Sequence, residues 1–281
     1  MDLTKILGTE PLVDAEEEAF IVFSQDIPSQ SLGFIDAHAS TLEVSVSGYD
    51  LVIHQSPGLL TSNRKEGTTG AVVWKITPLL STLLTSPTSF LTTHSLLTPT
   101  STVLELGAGV SGILALTLAP KIRHYIATDQ SYVLKLLRQN VSENLSTVFP
   151  TNSKAKNRRA GNANGLGDGQ GRIEVKSLDW ETDDVSTYES VDMVVACDCI
   201  YNEALIEPLN STCAALCKLR KEDETPTLCL IAQQLRSPDV FEAWLKSFAR
   251  KFDVWQVPGE MLGEGLGEGS GFVVHVGVVK K

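Results

Sequence analysis

A chain of 281 residues, 42% of them hydrophobic, holds enough apolar sequence for a sizeable core, which excludes a wholly disordered protein. Its 34 acids against 23 lysines and arginines give a net charge of −11, which argues against binding naked nucleic acid and suits a basic protein partner. Five cysteines confined to Cys197–Cys229, an acidic start without a long apolar run, and no segment near the ~20 apolar residues that span a bilayer lead us to expect a reducing, cytoplasmic setting and no membrane.

Residues 1–18, ending in Asp-Ala-Glu-Glu-Glu, read as a leader or solvated helix, and Phe20–Ser24 as a strand. In Ser40–Ser56, Leu42, Val44 and Val46 alternate with Glu43 and Ser45, and Ser-Gly-Tyr-Asp supplies a turn, so a pair of strands is expected. Residues 57–70 are loop-like. Ala71–Leu84 begins a helix, with Pro78 either interrupting it or sitting in its first turn. From Thr102 onward strands and helices alternate. Strands are expected at Thr102–Leu106, His124–Asp129, Arg172–Trp180, Val191–Asp198 and Thr227–Gln234. Helices are expected at Ser111–Pro120, Ser131–Phe149, Glu203–Arg220 and Pro238–Lys251, the last capped by Ser237. Phe252–Val257 and Gly271–Val279 then follow as two strands joined by a short connection. Such alternation implies a parallel sheet with helices on both faces, and the final pair an antiparallel hairpin at its edge. The expected fold class is α/β; seven strands ending in a hairpin resemble the Rossmann-like class I methyltransferase fold, with a seven-stranded, mostly parallel sheet. Its expected organisation is a leader and β extension over residues 1–70 and one domain over 71–281, with a flexible glycine-rich insertion at 151–171.

Leu104–Gly112 fits G-x-G-x-x-G at Gly107, Gly109 and Gly112, a pattern that by itself first suggests a dinucleotide. Glu105 speaks against a pyrophosphate, which it would repel. It favours S-adenosyl-L-methionine, which carries a sulfonium and an ammonium instead. A solvated Glu beside a tight turn is the plainer reading. Asp129 follows Gly107 at the spacing of an acid that grips ribose hydroxyls, though it could equally cap the next helix. Asp179 and Trp180 end the third strand, where Trp180 can cover an adenine face or simply pack. Trp74 is a further candidate wall. Cys197-x-Cys199 has the wrong spacing for a zinc knuckle, and the five histidines are scattered, so no metal is expected.

The segments Thr69–Lys75, Val103–Gly112, Ile126–Gln130, Ser177–Trp180 and Ala196–Leu209 occur in the order found in the seven-β-strand protein-lysine methyltransferases of the methyltransferase-21 group. The likeness covers roughly Gly70 to the C terminus and is nearest the fungal ribosomal-protein lysine methyltransferase 5 branch. It implies a cofactor pocket for S-adenosyl-L-methionine made by Trp74, Glu105, Gly107, Ala108, Gly109, Asp129, Trp180 and Cys197, where relatives commonly carry Ala in place of Cys197. It implies catalysis by Asp198 and Tyr201, which match the family's acid-x-x-Tyr motif. It also implies a monomer whose substrate is a basic large-subunit ribosomal protein. Asp198 and nearby carbonyls would hold the lysine amine, and Tyr201 would form an aromatic wall. The alternatives are methylation of another protein, a nucleic acid or a small molecule, and a non-catalytic cofactor-binding module; a nicotinamide oxidoreductase is more remote.

Overall fold

The structure, a computed structural model, describes residues 1–29, 32–62, 68–150 and 171–281. All but Gly171 of the expected insertion lies outside these.

The short apolar runs that follow Thr102 are strands because they are covered on both faces. All five residues of Thr102–Leu106 and of Met193–Cys197 are buried. With β1 (Thr41–Val46) and β2 (Tyr49–His54) first in the chain, these two are β3 and β6. They join β4 (His124–Asp129), β5 (Ile173–Ser177), β7 (Leu228–Gln234), β8 (Phe252–Gln256) and β9 (Phe272–Val279) in one seven-stranded sheet ordered β5-β4-β3-β6-β7-β9-β8. Only β9 runs against its neighbours. This is the expected α/β arrangement. In its parallel part, β3 is followed by β4 and β5 on one side, and the chain then returns to β6 on the other. That reversal opens a crevice at the carboxyl ends of β3 and β6.

The helices in chain order are α1 (Leu3–Leu7), α2 (Ala15–Phe23), α3 (Pro57–Leu60), α4 (Ile76–Thr85), α5 (Phe90–Thr93), α6 (Ile113–Leu118), α7 (Leu134–Val148), α8 (Ile206–Cys217), α9 (Pro238–Lys251) and α10 (Gly259–Leu262). One face of the sheet buries Ile76 and Leu80 of α4, Ile113 of α6 and Leu137 of α7. The other buries Leu209 and Cys213 of α8 with Phe241, Trp244 and Phe248 of α9.

Three sequence readings need correction. Phe20–Ser24 is not a strand: α2 runs through Phe23, because Asp14 caps it by accepting from the Glu16 and Glu17 N–H groups at 2.8 and 3.3 Å. Glu16, Glu17 and Glu18 in the first turn suit the positive end of the helix. Ala19 and Val22 are then buried, while Phe20 is exposed. The link from β8 to β9 is long, spanning residues 257–271 and containing α10. Within the loop-like stretch after Ser56, α3 forms one helical turn with Pro57 at its start. Pro78 does lie in the first turn of α4, where its missing N–H costs nothing.

The β1–β2 hairpin, turned by Ser47 at φ 53° and Gly48 at φ 82°, is tied to α7 by two buried asparagines. Among the described residues, no strand pairs with the outer edge of β2. Asn144 instead accepts from Val52 N–H at 3.0 Å and donates to Val52 C=O at 2.9 Å. Asn140 does the same for His54 at 2.8 and 2.9 Å, and its amide also donates to Val110 C=O at 2.7 Å. Being four residues apart on a helix, the two side chains meet alternate residues of the strand. Replacing Asn140 with Ala strands three backbone groups, so urea unfolding is expected to lose about 2–4 kcal/mol; an unchanged midpoint would show that the pairing contributes nothing.

Candidate functional site

Adjacent parallel strands end together. Leu106 pairs with Thr128 on one side and Ala196 on the other, so Glu105, Asp129 and Cys197 reach the same rim. They line an open-mouthed cavity, together with Trp74, Gly107, Ala108, Gly109, Trp180, Asp198 and Tyr201. All ten residues expected to hold the cofactor or carry the catalysis therefore share one cavity.

Glu105 is 3% exposed, and the Tyr125 hydroxyl donates to its Oε2 at 2.8 Å. Burial pushes its carboxyl up to about 8, against the pull of the Tyr125 hydrogen bond and with help from the Asp129 charge. Burial thus favours its protonated form, and the group faces the cavity. Asp129 accepts from Gly109 N–H at 2.8 Å and Gln130 N–H at 2.7 Å. Burial raises its carboxyl to about 6, opposed by those two hydrogen bonds. It does not cap α7, which begins at Leu134 beyond Val133. Oδ1 and Oδ2 each keep acceptor capacity for further donors.

The glycines are required by contact. A Cβ on Gly107, at φ 72°, would lie 2.6 Å from Cys199 Sγ and 3.2 Å from the Trp180 ring. One on Gly109, at φ 62°, would press on Gly70 C=O at 3.2 Å. Trp180 covers this loop, and its buried indole N–H finds no hydrogen-bond partner among the described residues. The thiols of Cys197 and Cys199 are pushed well above their ordinary range by burial. Cys199 Sγ rests 3.3 Å from Leu106 C=O, and all five cysteines are unbridged. Among the described residues, no group of three or more His, Cys, Asp or Glu could hold a metal.

On the opposite wall, Asp198 has φ 59°, a left-handed conformation that Asp tolerates better than most residues. Its side chain is 1% exposed and paired bidentately with Arg236, Nη1 to Oδ1 at 2.7 Å and Nη2 to Oδ2 at 2.6 Å. Gln234 N–H adds a third bond to Oδ1 at 3.2 Å. Arg236 also lies 5.0 Å from the centre of the Trp74 ring. Tyr201 is 38% exposed; loss of solvent around its hydroxyl raises its phenol, and a hydrogen bond with Thr69 opposes that. Trp74 N–H donates to Thr69 C=O at 3.1 Å, and its ring sits 4.6 Å from that of Phe34.

Arg236, Tyr125, Thr69 and Cys199 are the contributors that sequence reasoning missed. Arg236 lies 38 residues past Asp198, on the segment after β7. Only the pairing of β6 with β7, through Cys197 opposite Ala232, brings the two together. Tyr125 meets Glu105 through the register of β3 against β4.

The buried acids make stability pH-dependent. The stabilising effect of a neutral Glu105 is fully present below its ordinary value of 4.5 and is lost as pH rises toward about 8. Glu105→Gln, which stays neutral, is therefore expected to be more stable than the parent chain at pH 8.5 and to lose that advantage at pH 5. Denaturant unfolding at both pH values checks this; an advantage equal at both would mean that Glu105 is not titrating in the fold.

The cavity combines a buried acid, a glycine loop, a second acid and an indole at the switch point of a parallel sheet. A family described as lysine methyltransferase matches residues 53–248. A Zygosaccharomyces rouxii protein named ribosomal lysine N-methyltransferase 5 is 31% identical over 232 residues, covering 70% of each chain. A Vanderwaltozyma polyspora protein of the same name is 29% identical over 85% of this chain and 90% of that one. A Schizosaccharomyces pombe protein named diaminohydroxyphosphoribosylamino-pyrimidine deaminase is 28% identical over 86% of this chain, which spans 52% of that protein's length. On the family match and the Zygosaccharomyces relative, the chain belongs to the lysine methyltransferase family.

Proposed function

We propose that the chain uses S-adenosyl-L-methionine to methylate a lysine of a basic large-subunit ribosomal protein. The observation that carries the cofactor is Glu105, a carboxyl buried and hydrogen-bonded to Tyr125, in a cavity with no cation among its described lining residues. A cationic amino-acid end supplies what that group lacks. Asp129 has acceptor capacity for ribose hydroxyls, and Trp180 offers an indole face and an unmatched N–H. Gly107 and Gly109 let the loop pack against Cys199, Trp180 and Gly70 more closely than a side chain would allow, which holds its backbone at the cavity wall. The residues present therefore fit this group. Bound there, it supplies a methyl on a sulfonium: the amine lone pair forms the N–C bond while the C–S bond breaks onto sulfur, leaving a thioether.

The chain's own contribution is alignment. Asp198 and Tyr201 line the same cavity as the cofactor residues, so a lysine side chain entering beside them meets the methyl donor directly. A carboxylate has about four acceptor sites, and Arg236 and Gln234 N–H take three on Asp198. The remaining one, on Oδ2, can accept an amine N–H and aim the nitrogen's lone pair. Tyr201 walls the passage with its ring. The ribosomal substrate rests on the relatives' names and on a net charge of −11, which suits a basic partner.

Two measurements test this reading. Incubation of washed fungal large ribosomal subunits with methyl-labelled S-adenosyl-L-methionine is expected to label protein, and Asp198→Ala to cut the rate by about a hundredfold or more. Label in RNA alone would remove the lysine assignment, and equal labelling by the variant would remove Asp198 from the chemistry. Glu105→Gln is expected to weaken S-adenosylhomocysteine binding by about tenfold to a hundredfold, the worth of a charged hydrogen bond; undiminished affinity would dissociate Glu105 from the cofactor.

A further inference from the structure

Asp198 poses a problem for the chemistry assigned to it. An unpaired carboxylate beside a lysine holds the ammonium form in place, because opposite charges at close range each favour ionisation. The nucleophile is the neutral amine. A site that gripped lysine through a lone carboxylate would therefore bind its substrate in the unreactive state.

Arg236 removes that difficulty. Its guanidinium, which does not lose its proton in proteins, meets both carboxylate oxygens of Asp198. It is held on its other sides by Gln234 Oε1 at 3.0 Å, by Leu32 C=O at 3.4 Å and by the face of Trp74. Gly33, at φ 90°, permits this seat: a Cβ there would lie 2.0 Å from Gln234 Oε1 and 2.8 Å from Arg236 Nη2. The N-terminal segment thus closes over the pair. Three elements converge to fix one guanidinium against one carboxylate, which is more than a surface ion pair needs. The other titratable groups lining this cavity are Glu105, Asp129, Tyr132, Asp179, Glu181, Tyr201 and the thiols of Cys197 and Cys199.

We propose that Arg236 is a positioning residue that neutralises the Asp198 carboxylate, so that an incoming lysine keeps a hydrogen-bond acceptor on Asp198 but gives up its proton to water readily. This rests on the methyltransferase reading given above. The pair presents a short dipole in place of a net negative charge, and its pull on an ammonium falls off faster with distance. The lysine loses H⁺ to solvent before attack, and its freed lone pair is then available. The guanidinium contacts neither methyl nor amine and acts only through Asp198.

The test is the pH profile of single-turnover methyl transfer, at saturating S-adenosyl-L-methionine, with washed fungal large ribosomal subunits as acceptor. Every variant retains the other titratable groups of the cavity, so whatever they contribute is common to all profiles. Arg236→Gln is expected to move the midpoint at which the rate rises upward by about one pH unit, a tenfold loss near neutrality that alkaline pH recovers. Asp198→Asn, with Arg236 retained, is expected to move the midpoint downward while lowering the plateau rate. The double variant, neutral at both positions, is expected to return the midpoint to that of the parent chain, at the lowered plateau. This variant leaves no buried unpaired charge, so with Asp198→Asn it decides the matter even if Arg236→Gln does not fold. Midpoints that coincide in every folded variant, with rates lowered equally at all pH values, would reduce Arg236 to a structural role and overturn the inference. A parent chain that labels no protein overturns the methyltransferase reading itself, and this inference with it.

Discussion

The site depends on a carboxyl group kept in an apolar surrounding at the end of the central strand. Taking a carboxylate out of water costs several kcal/mol unless it is paired. Glu105 meets this cost by holding its proton and accepting one hydrogen bond from Tyr125. A cation can then exchange for the proton. The same burial that destabilises an ionised Glu105 makes its interaction with a positive ligand strong, since little water competes. Stability and ligand affinity are in tension at this one residue, as is common at sites preorganised for a charged ligand.

Around it, the cavity separates two tasks. Asp129, the glycine loop and Trp180 sit toward β4 and β5, where they suit a nucleoside. Asp198, Arg236 and Tyr201 sit toward β7. The N-terminal segment reaches both regions. Asn140 links the β1–β2 hairpin to the backbone of the glycine loop at Val110, while Leu32 and Gly33 close over Arg236 and Lys75. A chain stretch that looks peripheral in sequence therefore shapes the cavity from two sides.

Most of the sheet was legible from residues alone, because strands buried on both faces leave unbroken apolar runs such as Met193–Cys197, and because Pro238 after Ser237 marks a helix start. That the ten candidate residues would meet at one cavity was also legible, since motif order along an alternating β/α chain maps onto one rim of a parallel sheet. Long-range pairings were not. Tyr125 meets Glu105 only through strand register, and Arg236 meets Asp198 only because β7 lies beside β6. The strand expected at Phe20–Ser24 failed for a local reason: its apolar residues fit either period, and the cap at Asp14 decided for a helix.

The account turns on the protonated state of Glu105 giving way to a bound cation. Calorimetric titration of S-adenosylhomocysteine near pH 7, repeated in buffers of different ionisation enthalpy, measures that exchange directly. The expected result is binding accompanied by release of close to one proton per site, a release that disappears in Glu105→Gln. Binding with no proton released in either protein would contradict the account.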